Sequence, residues 1–408
     1  MPADQLHVAF LKKLIAAMLL GILVTVLCVI IIDPYRLYGV VDKNGFNHVK
    51  PALERYQEEI KLKSATRLSP DTIIAGNSRA EIGFNPESKI FSENARSSYN
   101  LAIPGSGISS SLRQLNYLQA QNKTPQTLIL GLDFLDFLVN PKLKEKARIA
   151  SQKMTDVDGY KWQFDAAFSL HSVSDSLKTL QIQRKPEVET ITMRGFNPLL
   201  EYYKYAREQG YYALFQQRTE ENLKTYLRKR DYVIEPASDH LAHWGELRSI
   251  IKMSSENDIQ LHLVIYPYHA QILLMFEHLG LMPAFEQWKQ QVAQELEKGR
   301  ADPSMSKLKL WDFSGYGSFQ CETIPSKSDK MSATKWYWEA GHFKPALGEF
   351  MLSRMLQAPE QLASDSFGFL LNSTNATANR RRLTEEKAAC RKSYPELFEQ
   401  VARMPDGR

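Results

Sequence analysis

One stretch constrains this chain before anything else is considered. From Leu14 to Ile32 it reads LIAAMLLGILVTVLCVIII, without a single charged residue. At about 1.5 Å of helical rise per residue, such a run just spans a hydrocarbon core of roughly 30 Å. Lys12 and Lys13 precede it and Asp33-Pro34 follow it. The lysines predict a cytoplasmic N-terminus, which puts everything after residue 33 on the outer side of the membrane. The run is longer than the roughly 7–15 apolar residues of a signal peptide, and no small-x-small site precedes Asp33, so the expectation is an uncleaved single-pass anchor. Tyr35 and Tyr38 are expected at the interface, where amphipathic rings collect. A buried core helix of a soluble protein would show a polar face, and this segment has none.

The remainder reads as ordinary globular protein. With 408 residues, 43% hydrophobic and 24% charged, the chain is neither disordered nor polytopic. Its net charge of +5 comes from Lys and Arg interleaved with Asp and Glu. Nucleic-acid binding wants a concentrated basic face, so no nucleic-acid partner is expected. No spacing of Cys and His resembles a zinc site, and no metal or cofactor is expected. Cys28 lies inside the apolar run, which leaves Cys321 and Cys390. These two can form one disulfide in an oxidising compartment, although sequence does not establish that they meet.

Residues 34–70 are polar, with a short helix expected near 51–64. Strands are expected at Thr72–Ala75, Tyr99–Ile103 and Thr127–Gly131, and a helix over Ile108–Gln121, where Leu112, Leu115 and Leu118 share a face. Strand and helix alternating at this spacing predict a parallel sheet with helices on its faces. From about 141 to 238 the pattern is interrupted by charge and aromatics (KLKEKARIASQK, EYYKYAREQGYYALFQQ) without a strand repeat. This predicts a largely helical insertion. Its tyrosines are candidates to stack on sugar rings, though tyrosines at helical spacing more often simply pack. The sheet pattern resumes with a helix over Leu241–Asn257, a strand at Gln260–Tyr266 and one long amphipathic helix to about Leu296. A strand at Lys307–Phe313 and a helix from Pro345 to about Leu356 complete it. The tail, 361–408, is polar and expected to be partly disordered or loosely helical. The expected fold is α/β: a three-layer domain over 34–360 with a mostly parallel five-stranded sheet, tethered by one N-terminal transmembrane helix.

Two motifs carry chemistry. Gly76-Asn77-Ser78-Arg79 follows the first strand, so the Ser78 hydroxyl is expected at the carboxyl edge of the sheet, where open α/β folds bind ligands. Asn and Ser also cap helices, so the tetrapeptide alone is weak. Glu339 stands three residues before His342, in a loop expected after the last strand. That spacing lets a carboxylate reach Nδ1 of the imidazole and leaves Nε2 to take a proton from a serine. Both motifs belong at one edge of one sheet. His269, after the fourth strand, is a candidate substrate contact, although a loop histidine without a partner is usually incidental. Asp312 more simply caps its own turn.

Together these residues resemble the SGNH (GDSL) hydrolase superfamily, and within it the bacterial surface-polysaccharide O-acetyltransferase relatives such as the alginate acetylation proteins. The blocks that carry the resemblance are IIAGNSRAEIGFNP at 73–86, NLAIPGSG at 100–107, LILGLDF at 128–134 and WEAGHF at 338–343. The resemblance implies Ser78 as nucleophile, His342 as general base, and the Ser78 and Gly105 N–H groups as oxyanion-hole donors. The family usually has Asp where this chain has Glu339, and an oxyanion-hole Asn where it has Asp133. An ionised Asp133 facing an oxyanion would repel it. Asp133 is therefore expected to point away as a structural acceptor, with Asn77 or Arg79 as alternative donors; Arg79 and Asp133 are also candidate substrate contacts. The implied function is acyl transfer to, or hydrolysis of acyl esters on, a cell-envelope polysaccharide at a bacterial inner membrane. A membrane-bound acyltransferase is the expected donor partner. The competing expectation is an inactive scaffold that binds polysaccharide or organises an export complex.

Overall fold

The structure is a computed structural model that describes residues 3–94, 96–142, 160–185, 191–235, 242–299, 307–357 and 367–405. The chain begins with α1 (Ala3–Ile32), then a 3-10 turn (Leu53–Tyr56), α2 (Gln57–Leu68), β1 (Thr72–Ala75), α3 (Ser78–Gly83), α4 (Lys89–Glu93), β2 (Ser98–Asn100), α5 (Ile108–Ala120), β3 (Thr127–Leu132) and β4 (Leu138–Val139). Next come α6 (Tyr160–Phe168), α7 (Leu170–Gln181), α8 (Leu200–Gln209), α9 (Tyr211–Lys229), β5 (Val233–Ile234), α10 (Ala242–Glu256), β6 (Gln260–Ile265), α11 (Ala270–His278), α12 (Met282–Lys298) and β7 (Leu308–Asp312). Last are the hairpin β8 (Tyr337–Glu339) and β9 (His342–Phe343), α13 (Pro345–Leu356), β10 (Phe369–Leu370), α14 (Ala376–Ser393) and α15 (Pro395–Ala402).

Two compact units divide the chain: Met1–Ile60 with Thr155–Ile191, and Lys61–Met154 with Thr192–Arg408. The first unit thus takes residues 34–60, which the sequence reading gave to the α/β domain, and part of the 141–238 insertion. Much of that insertion's first half lies outside the described residues.

In the first unit, α1 carries the apolar run unbroken, and its stretch His7–Ile32 is long and apolar enough to cross a membrane. The helix stops at Asp33, which adopts a left-handed conformation (φ 51°). The carbonyls left at its end are satisfied by neighbours. Asn47 Nδ2 donates to the Ile31 and Ile32 carbonyls, both at 3.1 Å, and Lys50 Nζ donates to Ile32 at 2.8 Å. A cation there also suits the negative pole of the helix. Tyr35, expected at a membrane interface, is instead buried in a cluster with Ala52, Leu53, Ile60, Trp162, Ala166 and Ile191. Its hydroxyl donates to Asp175 at 2.7 Å, so the polar end of the ring is satisfied without water.

In the second unit one sheet runs in the order β10-β7-β6-β3-β1-β2. The five strands from β7 to β2 are parallel, and β10 is antiparallel to β7. The strands TIIA, TLILGL and QLHLVI are buried nearly throughout, as a sheet covered on both faces requires. The expected five strands are therefore joined by a sixth, supplied by the tail. That tail also forms α14 and α15: α15 buries Leu397, Phe398 and Val401, and polar contacts hold α14 where hydropathy gives no signal. Asn379 Nδ2 donates to Asp312 at 2.7 Å, Arg382 reaches the Ser314 carbonyl at 3.1 Å, and Cys390 pairs with Cys321. One smaller expectation also fails. The long helix after β6 is broken between α11 and α12 at Gly280, whose φ is +75°. The insertion contributes β5, paired with β4, a two-residue ribbon too short to show a period of two.

Candidate active site

β1 delivers the chain to Gly76, where φ is +136° and a Cβ would lie 2.6 Å from the Tyr266 hydroxyl. Only glycine fits that turn. Asn77 then caps α3, its side-chain oxygen accepting the Arg79 N–H at 3.1 Å. Ser78 is the first residue of α3, half-buried at the carboxyl edge of the sheet. The loop after β2 is tied beside this turn. The Ile103 N–H donates to the Gly76 carbonyl at 3.0 Å, and Ser106 Oγ bridges the Ile103 and Gly76 carbonyls at 2.8 and 3.3 Å. Gly105, at φ +69°, closes the loop. Neither the Ser78 nor the Gly105 backbone N–H has a hydrogen-bond partner among the described residues.

The acid and the histidine stand on a hairpin, where the sequence reading had a loop. β8 and β9 are joined through Ala340-Gly341, and Glu339 and His342 are register partners across it. A two-residue connection between facing positions is what makes the Glu-x-x-His spacing work. His342 Nε2 lies 2.8 Å from Ser78 Oγ, across 264 residues of sequence. On its other side Nδ1 hydrogen-bonds the Glu339 carboxylate, whose second oxygen accepts the Gly341 N–H at 2.8 Å. Burial would raise the Glu339 carboxyl. His342, the Gly341 N–H and the Arg218 charge outweigh it, and the group is held below the ordinary carboxylate range. Glu339 is 1% exposed, while the His342 side chain is 20% exposed and open to a reactant.

Asp133 points into the protein. Its carboxylate accepts from Asn77 Nδ2 at 2.8 Å, from the Leu135 N–H at 3.1 Å, and from Arg79 in a buried ion pair. Arg79 also donates from Nε to the Gly341 carbonyl at 2.8 Å and stacks 5.0 Å from the Tyr268 ring. Asn77, Arg79 and Asp133 thus spend their polar atoms on one another. Arg79 and Asp133, expected as candidate substrate contacts, and Asn77, expected as an oxyanion donor, are thus each partnered within the protein. His269, the other candidate substrate contact, is likewise partnered within the protein. It is fully buried, Nδ1 accepts the Gln271 N–H at 3.2 Å, and Nε2 meets the Glu322 carbonyl at 2.8 Å. It caps α11 and has no nitrogen left for a substrate. Asp312 caps Ser314 and pairs with Lys289 at 3.0 Å.

Two supporting residues had no local signal in the sequence. Lys61, itself buried, donates to Glu81 at 2.7 Å and to the Ala102 carbonyl at 2.6 Å, bracing α3 against the Gly105 loop. Arg218 comes from α9 of the insertion, and its Nε donates to the Tyr202 hydroxyl at 3.0 Å. Among the insertion's tyrosines, Tyr211 is buried against Trp338, whereas Tyr203 stands edge-on to Trp338 at 4.6 Å and is 56% exposed. Charge reach of this kind depends on tertiary placement and leaves no spacing to read. No protein-family model matches the chain, and no curated protein matches it.

Proposed function

We propose that the chain is a membrane-anchored SGNH-type serine acyltransferase or esterase acting on acyl, in particular acetyl, esters of a cell-envelope polysaccharide. The observation that carries this reading is the relay Ser78 Oγ, His342 Nε2, His342 Nδ1, Glu339, built from three buried or half-buried groups at one sheet edge. His342 takes the hydroxyl proton as Ser78 Oγ attacks the ester carbonyl. The oxyanion that forms accepts the unpaired N–H groups of Ser78 and Gly105. The C–O bond to the leaving alkoxide breaks as His342 returns the proton to it. A sugar hydroxyl or water then attacks the acyl-serine, with His342 again as base. The ion pair with Arg79 removes the objection that Asp133 poses to an oxyanion, because its charge is neutralised and its lone pairs are occupied. The exposed Tyr203 face beside Trp338 suits a sugar ring.

The apolar run of α1 with Lys12 and Lys13 before it supports an outward-facing domain, and the Cys321–Cys390 disulfide supports an oxidising compartment. Acyl donors made in the cytoplasm would then arrive through a membrane-bound acyltransferase partner. The test is turnover by the detergent-solubilised protein. p-Nitrophenyl acetate hydrolysis that disappears in Ser78→Ala, and acetyl transfer to an added oligosaccharide at the expense of hydrolysis, support a transferase. Hydrolysis that added sugar does not divert indicates a plain esterase. A folded wild type that turns over no more ester than Ser78→Ala indicates a scaffold.

A further inference from the structure

In the first unit, α7 is amphipathic in the opposite sense to a helix of a soluble protein. Its buried face is polar: Ser172, Asp175, Ser176 and Thr179 are each 7% exposed or less. Asp175 accepts from Tyr35 at 2.7 Å and from Arg55 Nε at 2.9 Å. Ser172, Ser176 and Thr179 return their hydroxyls to the helix's own turns at 2.6–2.7 Å. The outward face is apolar: Leu170 is 88% exposed, Leu177 56% and Leu180 37%, with spacings of seven and three that keep them on one side. On α6, which precedes it, Phe164 and Phe168 are 59% and 49% exposed and stack on each other at 4.5 Å. Water is a poor solvent for such a surface, and the polar side cannot turn outward without breaking its bonds to Tyr35 and Arg55.

We propose that α6 and α7 dock on the lipid surface beside α1, with Phe164, Phe168, Leu170, Leu177 and Leu180 in the boundary between headgroups and acyl chains. The lipid is favoured over a protein partner because α7 packs directly on α1, the helix that passes into the bilayer, within the same unit. At 12 residues α7 is far too short to span and suited to lie flat. Lys178, exposed on the same helix, can extend its ammonium to lipid phosphates. The inference rests on reading α1 as a membrane span, and extends it from a tether to a mount that limits the freedom of the first unit.

The test uses the full chain with Cys28→Ala, which removes the free thiol, while Cys321 and Cys390 take no label because they are paired. An environment-sensitive nitrobenzoxadiazole probe is placed at Leu170→Cys or Leu177→Cys. Leu20→Cys in α1 is the membrane control and Glu385→Cys on α14 the water control. In vesicles of phosphatidylethanolamine and phosphatidylglycerol, the probes at 170 and 177 are expected to emit to the blue of the probe at 385. They should lose about half their intensity to shallow spin-labelled lipid. Water-like emission at 170 and 177 with quenching at 20 overturns the inference and leaves the anchor intact. No quenching at 20 by deep spin-labelled lipid overturns both. Blue emission at 170 and 177 that spin-labelled lipid does not quench shows a protein cover and overturns the lipid assignment.

Discussion

The Nε of Arg79 donates to the carbonyl of Gly341 at 2.8 Å, which fastens the hairpin bearing His342 to the helix bearing Ser78. The same guanidinium pairs with Asp133 at the end of β3, and Asp133 accepts in turn from Asn77. One buried cation therefore ties together three of the four sequence blocks at the sheet edge. Its charge is held firmly by Asp133 despite the burial that opposes it.

If this clamp positions the relay, Arg79→Met should cost stability and activity by separable routes. Removing the cation strands the Asp133 carboxylate in the interior, at about 3–5 kcal/mol. Adding Asp133→Leu removes the stranded charge, so thermal stability should largely return. Ester turnover should stay low in the double variant, because the Gly341 carbonyl has still lost its tether. Denaturation midpoints and turnover rates of the wild type and the two variants check this.

Glu339 holds the imidazole in the tautomer that leaves Nε2 free for the serine. Glu339→Gln keeps the shape but turns an acceptor into an amide able to donate. The rate of ester turnover is expected to fall by about 10²–10⁴-fold. Glu339→Asp shortens the reach by one methylene and should recover part of that loss. The depressed carboxyl also makes a pH statement. An acid lowered in the folded state adds stability above its unfolded value, and that stability is lost as pH falls through the folded value. The wild type should therefore lose stability more steeply than Glu339→Gln below the ordinary carboxylate range, in melting curves taken across acid pH.

Asp136 is expected to behave in the opposite way. Burial, then the charge of Asp133, pushes its carboxyl up to about 7, against the opposing pull of His243, Lys229 and Arg79. An acid raised in the folded state keeps its proton there after the unfolded chain has lost it. Its contribution is thus most favourable at low pH and declines as pH rises towards about 7, then levels. Asp136→Asn removes this term while leaving the other groups in place. The difference in melting temperature between variant and wild type should grow in the variant's favour from pH 5 to about pH 7 and stay constant above.

The Cys321–Cys390 bond closes a loop across 69 residues and pins α14 to the segment after β7. Chain entropy assigns such a closure about 4 kcal/mol. Reduction, or Cys390→Ser, should lower the melting temperature. It should also expose the tail to proteolysis near α14 before the sheet is cut, which limited digestion with and without reductant will read.

Much of this architecture was legible because it is written in local pattern. The apolar run of α1, the buried strands TIIA and QLHLVI, and Pro345 at the first turn of α13 each announce themselves over a few residues. The pairing of Ser78 with His342 was accessible from strand order alone, since both motifs had to emerge at one sheet edge. What escaped was set by distant partners. Nothing near Arg79 reveals that Asp133 and Gly341 will absorb its donors, and nothing near His269 reveals the Glu322 carbonyl. The tail looked loose because the order of α14 comes from Asn379, Arg382 and Cys390 meeting partners across the fold, and the apolar stripe of α15, Leu397, Phe398 and Val401, is only two turns long. α7 gave the subtlest signal. Its periodicity marks a helix, but only the structure shows that the polar side faces inward.

An activated Ser78 nucleophile is what the relay through His342 and Glu339 is proposed to produce. The most direct measurement is reaction of the detergent-solubilised full-length protein with a fluorophosphonate, followed by peptide mass mapping. One adduct per chain is expected, on Ser78, absent in Ser78→Ala and slowed in His342→Ala. Folded wild-type protein that takes up no phosphonate, or takes it up on another residue, would contradict it.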